Sequence, residues 1–439
     1  LIEWDLLRLE GYASTTSEEI DGVLFVDAEL IDVSVPACDC ADPSIKKHGP
    51  RTINVKDFPI QRVPTVIRVK FQRWRCQACK KVIQAPLPGI STKRDITERF
   101  LACLEKDTVH MRFDQAASVN GVEKAFAIRV FDDHAEKMLS NYTYDLPRVL
   151  GMDEKHIGGR PRFVVGDVEN RKMLDMLMSR ERNVLDPYFE QWDWRDRAKV
   201  EVITQDMFWG YKTLNEKYFK AATVVVDKFH VVRYANVAVD TVRKQIQATL
   251  DNTDRVQMKK RNKLLAARVH RLGDEGKWAL SRLFKAHPAI ETAVTIKEWF
   301  YDIYECETRA EAEKAYGAWE ALIPPEMRTA FRPLTFPFQN RRWRRLIFNY
   351  FDHRYTNAYV ESLNGLMDRI GRDARGLTLP RLRAKALLRY GDVKPLIDTA
   401  AFDLMSLSPE DREAIMLTNV GHGVDLSTFE RDLRGEAFW

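Results

Sequence analysis

The chain has 439 residues, 45% hydrophobic and 30% charged, with a formal net charge of +5. That length corresponds to two to four domains, and the composition excludes a disordered chain. It contains no run of about 18 uncharged apolar residues, so no membrane-spanning helix is expected. The start, Leu1-Ile2-Glu3-Trp4-Asp5, has neither the basic nor the apolar region of a signal peptide.

Residues 1–90 read as a β-rich domain. Ile67, Val69 and Phe71 alternate with Arg68, Lys70 and Gln72, a period-two strand running into Cys76. Six cysteines are too few for a disulfide scaffold, and four of them fall in two pairs, Cys38-Asp39-Cys40 and Cys76-Gln77-Ala78-Cys79. Paired thiolates flanking a strand suit a tetrahedral structural Zn²⁺ in a reducing compartment. The short Cys-x-Cys half leaves His48 open as an alternative ligand. Cys103 and Cys306 stand alone and are expected in the core.

Residues 91–147 carry few helix breakers. Phe113–Ala117, the turn Asn120-Gly121-Val122 and the run Glu123–Met138 have the order of a helix-turn-helix. Its second helix would offer Lys124 and Arg129 to a DNA major groove. A plain helical hairpin has the same pattern.

Residues 148–234 alternate strand and helix. A strand through Val149–Glu154 carries Asp153, a hairpin follows over Arg162–Val168 and Lys172–Leu177, and another strand ends at Asp206. Three antiparallel strands, a helical stretch and a fourth strand is the order of a ribonuclease-H-like sheet. In that order the first and fourth strands are neighbours, which brings Asp153 beside Asp206. The strand Thr223–Val226 leads into Asp227-Lys228-Phe229-His230, where Asp227 either caps a helix or, with His230, orients a reacting group. Trp209 either stacks on DNA or packs.

Residues 235–350 read as a helical block. From Asp240 to His287 there are twelve Lys or Arg against five Asp or Glu, and from Arg341 to Tyr390 twelve against four. The run Arg341-Arg342-Trp343-Arg344-Arg345 sets four guanidiniums around one indole, suited to gripping phosphates and stacking on a base. Pro324, Pro325, Pro333 and Pro337 are expected to punctuate the approach to a helix over 356–371, within a segment 351–398. On that helix Asn357, Glu361, Asn364 and Asp368 form one polar stripe, opposite Leu363, Leu366 and Ile370. Glu361 thus joins Asp153 and Asp206 as a third acid. Such a trio suits two Mg²⁺ or Mn²⁺ ions about 3.5–4 Å apart in phosphoryl displacement. Asp167, Asp175 and Glu154 lie near the trio in sequence without being required by the sheet order. Residues 399–439 form an acidic tail.

These motifs resemble the ISL-three family of bacterial DDE insertion-sequence transposases. The resemblance rests on five features: the cysteine knuckle, the helical DNA-binding segment, Gly151-Met152-Asp153-Glu154, the blocks Thr204–Tyr211 and Val226–Arg233, and Thr356–Asn364. It implies a multidomain α/β protein. The implied ribonuclease-H-like mixed-sheet catalytic core would be interrupted by an all-helical insertion at 235–350, behind a zinc-binding β-rich domain and a helix-turn-helix domain. It also implies a metal-dependent recombinase that binds terminal inverted repeats as a dimer or larger, cleaves double-stranded DNA and transfers the freed 3′ end to target DNA, on the nucleoid of a bacterial cytoplasm. Asp153, Asp206 and Glu361 map onto the family's catalytic acids, and Asp227 and His230 onto its Asp-x-x-His motif. The first cysteine pair departs from the expected Cys-x-x-Cys. A DNA-binding regulator descended from a transposase, or a structure-selective nuclease without strand transfer, are the competing readings; three intact acids argue against the regulator.

Overall fold

Alternating burial organises the first sheet. Strands β1 (Tyr12–Ile20), β2 (Val23–Leu30), β3 (Ile45–Ile60) and β4 (Val63–Cys76) run in the order β1-β2-β4-β3, with β5 (Val82–Gln84) also paired to β4. On β4, Ile67, Val69 and Phe71 face inward and pack with Val26, Ala28 and Val55, as the period-two pattern predicts. The long β3–β4 ladder sets Ile45 opposite Cys76, so the chain leaving Cys40 returns beside the second cysteine pair. This computed structural model describes residues 7, 9–31, 34–40, 44–373 and 377–393; the acidic tail lies outside them.

Three helices follow, α1 (Glu98–His110), α2 (Phe113–Val119) and α3 (Lys124–Leu139). Thr97 opens α1 by accepting a hydrogen bond from the Phe100 amide. Gly121 makes the turn between α2 and α3 with φ +62°, and a Cβ there would lie 2.9 Å from Pro64 Cγ. Phe100, Leu104, Ala117, Ala127 and Val130 fill the space between the helices.

A fourth helix, Leu379–Tyr390, belongs to the same compact unit, which comprises residues up to Asn141 together with Asp373–Arg389. Lys385 Nζ donates to Met111 O and Arg389 Nε to Val109 O, both at 2.7 Å. These carbonyls at the end of α1 have no partner within their own helix, and cations are favoured there. The segment 351–398, continuous in the sequence pattern, therefore divides between the two units.

The second unit is Tyr142–Arg372 with the described residues from Tyr390 on. Its elements begin with β6 (Val149–Ile157), β7 (Arg160–Asp167), β8 (Lys172–Leu177), α4 (Arg182–Glu190), α5 (Trp194–Ala198), β9 (Val202–Gln205), α6 (Trp209–Tyr218) and β10 (Thr223–Val226). The sheet order is β10-β9-β6-β7-β8. Strands β6, β7 and β8 form an antiparallel meander, while β9 pairs parallel to β6 and β10 parallel to β9. Gly158 and Gly159, both at positive φ, make the two-residue β6–β7 turn.

Helices α7 (Lys228–Thr249), α8 (Asn252–Lys260), α9 (Asn262–Ala266), α10 (Asp274–Ala286), α11 (Pro288–Ile303), α12 (Arg309–Ala321), α13 (Arg328–Gln339) and α14 (Arg341–His353) come next. Their core is continuous with the sheet: Val225 and Val226 of β10 belong to the same apolar cluster as Val231, Phe300, Phe331 and Phe348. On α14, Asn349 Nδ2 donates to the Val224 carbonyl at 2.8 Å, so α14 covers the outer strand. Pro333 and Pro337, expected to punctuate the approach to the helix over 356–371, lie inside α13. Burial of Ala330, Phe331, Leu334 and Phe338 on one face of α13 outweighs the helix hydrogen bonds those prolines remove.

The last helix of this unit, α15 (Ala358–Asp373), crosses the sheet at its two small residues. A Cβ on Gly151 would lie 2.5 Å from Val360 Cγ2, and one on Gly166 would lie 3.2 Å from it. Only glycine at 151 lets the helix approach this closely. Leu363, Leu366 and Ile370 are buried, as the stripe pattern requires.

Candidate active site

Four acidic side chains and one imidazole converge where β6, β9 and β10 meet α7 and α15. Asp153 lies on β6 just past the residues paired to β9, and it is buried. Asp206 follows β9, and its Oδ1 accepts from the Phe208 amide at 3.0 Å. Asp227 follows β10 and is fully buried. It occupies the N-cap position of α7, yet its side chain makes no capping bond. Its Oδ1 accepts instead from the Asn357 amide at 3.2 Å.

One ligand atom each from Asp153, Asp206 and His230 lies within 4.8 Å of the others, and so it is for Asp227, His230 and Glu361. His230 belongs to both groups. The sequence pattern grouped Asp153, Asp206 and Glu361; here His230 joins the Asp153–Asp206 pair and the Asp227–Glu361 pair, and the charge of Asp153 also bears on Glu361.

Asparagines hold this arrangement. Asn357 Nδ2 donates to Met152 O at 3.0 Å, and its Oδ1 accepts from Thr204 Oγ1 at 2.9 Å. With its amide on Asp227, one residue thus ties β6, β9 and the end of β10. Asn364 Nδ2 donates to Asp153 Oδ2 at 2.8 Å. The fourth member of the stripe, Asp368, pairs with Lys155.

The electrostatics are those of crowded, desolvated acids. Burial, then the charge of Asp206, pushes the Asp153 carboxyl well above its usual range. Burial, then the charges of Asp227 and Asp153, does the same to Glu361. Asp206 and Asp227 are also raised by burial, with His230 opposing the rise in each. Asp227 Oδ2, His230 Nδ1 and Asn364 Oδ1 are buried without a hydrogen-bond partner. Oxygen donors that repel one another, with orphaned lone pairs among them, fit hard divalent cations.

The neighbouring acids have partners of their own. Asp167 caps the β7–β8 turn, accepting from the Glu169 and Asn170 amides at 3.1 and 3.0 Å. Asp175 accepts from the Met176 amide at 2.7 Å. Glu154 pairs with Arg180, whose guanidinium lies 4.2 Å from the Phe208 ring centre. Arg180 and Arg233 were not singled out from the sequence. Arg233 follows His230 by three residues on α7, the spacing that signals a shared helix face.

The four early cysteines form a separate cluster. Sγ separations are 3.6 Å for Cys38–Cys40, 3.6 Å for Cys38–Cys79 and 3.5 Å for Cys40–Cys76. A tetrahedron with metal–sulfur bonds of about 2.3 Å has edges of roughly 3.8 Å. Backbone amides of the knuckle, first that of Cys79, pull the Cys76 thiol down to about 6, as a thiolate ligand requires. His48 is not part of this group.

Residues 150–386, more than half of the chain, match the family model for the transposase of ISL3 DDE type. The chain belongs to this transposase family. Residues 36–79 match the zinc-finger of transposase IS204/IS1001/IS1096/IS1165, so the cysteine cluster of this transposase is a zinc ribbon and its metal a structural Zn²⁺. No curated protein matches the chain. Among the described residues no helix is long and apolar enough to cross a membrane.

The side chains expected to meet DNA are placed as follows. Lys124 and Arg129 are exposed on α3. On α14, Arg341, Arg342 and Arg345 are exposed, while Arg344 lies 5.4 Å from the ring centre of Phe348. Trp343 is 6% exposed and packs edge-on against Trp209 at 5.0 Å. Its indole, expected to stack on a base, is instead part of the apolar core, because the inward face of an amphipathic helix falls there. Trp209 remains 47% exposed, three residues beyond Asp206.

Proposed function

We propose that this transposase binds the terminal inverted repeats of an insertion sequence, cleaves a phosphodiester at each end and transfers the freed 3′ end to target DNA. The sheet order, with β9 returning parallel beside β6, supports a ribonuclease-H-like core. The observation that carries the reading is the pair of overlapping donor groups sharing His230, with three orphaned buried atoms among them.

In this reading Asp153, Asp206 and Glu361 hold two Mg²⁺ or Mn²⁺ ions. Bound there, such ions would supply Lewis-acid charge for the attacking and leaving oxygens. Asn357 and Asn364 fix the acids before DNA arrives. His230, shared by the two donor groups, and Asp227 beside Glu361 orient the attacking hydroxyl or the DNA backbone. Helices α2 and α3 act as a helix-turn-helix, with Lys124 and Arg129 reaching the groove. Trp209 and the exposed arginines of α14 grip the strand near the site. Two ends are processed together, so the active species on DNA is a dimer or larger, working on the nucleoid of a bacterial cell.

A cleavage and strand-transfer assay tests this, using duplexes from the inverted repeats that flank the gene, with Mg²⁺. The expected products are a nick with a 3′-hydroxyl and a joined species, both absent in Asp153→Ala, Asp206→Ala and Glu361→Ala. Cleavage without joining would favour the nuclease reading. End binding with no cleavage in Mg²⁺ or Mn²⁺ would favour the regulator.

A further inference from the structure

A cleft of about 460 Å³ opens along α7, walled by α8 and α9. Its lining carries five cations, Arg233, Arg243, Lys244, Lys259 and Lys263, against a single acid, Asp240. Arg243 and Lys244 are both committed to Asp240, at 2.7 and 2.8 Å. Arg233, Lys259 and Lys263 are exposed and make no ion pair among the described residues. Like charges gathered in one concavity repel one another and attract a polyanion.

The wall is held firmly. Lys297 is fully buried on α11, and its Nζ donates to Leu265 O at 2.9 Å and Ala267 O at 2.6 Å, at the end of α9. These are carbonyls that α9 cannot satisfy itself. The α9 wall of the cleft is therefore fixed by the fold.

We infer that this cleft binds the sugar-phosphate backbone of DNA running away from the acidic site. This rests on the DNA-cutting reading above. Arg233 stands one turn beyond His230 on the same helix, so the cleft starts beside the acids. From Arg233 to Lys244 is three helical turns, about 16 Å. Measured along a duplex axis, that spans roughly four or five nucleotide steps at about 3.4 Å each. Among the described residues no aromatic side chain lines the cleft, so they offer nothing for a base to stack on. A free nucleotide would lack the contact that identifies its base, whereas a continuous backbone needs only the charges.

The test is equilibrium binding of an end duplex across a salt series by the full chain. Lys259→Gln/Lys263→Gln is compared with wild type, alongside Lys259→Arg/Lys263→Arg, and melting curves check that each folds. With two phosphate contacts gone, the slope of log affinity against log salt should shrink by about 1.8. Affinity at about 0.1 M salt should fall tenfold or more, and the arginine pair should restore both. An unchanged slope in the glutamine pair overturns the inference. Competition by inorganic pyrophosphate separates the sources: if the glutamine pair weakens pyrophosphate binding but not duplex binding, the cleft serves a free phosphate compound and the DNA assignment fails. Cleavage by wild type with unaltered binding by the variant sinks the cleft alone. Weakened binding by the variant with no cleavage by wild type sinks the catalytic reading alone.

Discussion

Asn364 on α15 donates its amide to Asp153 on β6, Nδ2 to Oδ2 at 2.8 Å, one turn beyond Glu361 on the same helix. The bond fixes the Asp153 carboxylate and ties the helix carrying Glu361 to the strand carrying Asp153. Partners that orient a metal-binding carboxylate typically contribute 10–100-fold to metal affinity or activity. Asn364→Ala is expected to cut cleavage by about that factor and to raise the Mn²⁺ concentration needed for half-maximal rate, with end binding unchanged. Asn364→Asp should be worse, because it sets another acid against Asp153. A reduced rate with an unaltered Mn²⁺ requirement would mean that Asn364 only packs.

Crowding of the acids sets the sign of a pH effect. Asp153, Asp206, Asp227 and Glu361 all have raised pKa values in the folded chain. Unfolded, such carboxyls release their protons near pH 4. Above that pH the folded state holds protons that the unfolded state has lost, so its stability falls as pH rises through the raised values. Without divalent ions, melting temperature should therefore decline from about pH 5 toward neutrality. Mn²⁺ should offset more of the loss at pH 8 than at pH 5. Glu361→Gln should raise the metal-free melting temperature at pH 8 and blunt the response to Mn²⁺. A metal-free melting temperature that climbs over this range would contradict the crowding.

Much of the fold and of the acidic site was legible because two periods and one strand order carry them. Ile67, Val69 and Phe71 alternate, Glu361 and Asn364 recur with the helix, and the order of the strands alone placed β9 beside β6. What was hidden depended on distance in space. The basic run around Trp343 masked its place on the apolar stripe Trp343, Leu346, Ile347 and Tyr350, the face of α14 that packs into the core. Pro333 and Pro337 break helices in isolation, and the burial that overrides them comes from other elements. His230 was visible as part of a motif, but its membership of both acid groups depends on α15 bringing Glu361 within reach of α7.

The zinc ribbon makes a prediction about order in the N-terminal sheet. Ile45 and Cys76 are register partners, and the Cys76 amide donates to Lys81 O at 2.9 Å, so the cysteines close the open end of the β3–β4 ladder. Without metal, four thiols within 4.8 Å have no reason to stay together. Purified protein should carry one zinc per chain by metal analysis, and Cys76→Ser should lose it. Because metal binding and local folding are coupled, amide exchange in β5 and around Ile45 should accelerate on metal removal, while β1 and β2 stay protected. Full zinc content in Cys76→Ser would remove that residue from the ligand set.

Gly151 links packing to chemistry most directly. A Cβ at this position would lie 2.5 Å from Val360 Cγ2, 2.8 Å from Val168 Cγ2 and 3.0 Å from Asn357 Oδ1. Val360 and Asn357 sit on or beside the start of α15, so Gly151→Ala has to push that helix off the sheet. The displacement would loosen the Asn357 contacts to Met152 and Asp227 and move Glu361 with them. Overpacking of this kind typically destabilises by about 1–3 kcal/mol, and a shift of about 1 Å at a reacting centre can cost around 100-fold in rate. Gly151→Ala should therefore lose far more cleavage than stability. Val360→Ala removes the closest atom, so Gly151→Ala/Val360→Ala should recover activity relative to Gly151→Ala alone. Cleavage rates and melting temperatures of the two single variants and the double variant, taken as a cycle, give the coupling between the positions. Additive effects on cleavage would show that α15 does not ride on Gly151 and that Glu361 is positioned by other contacts.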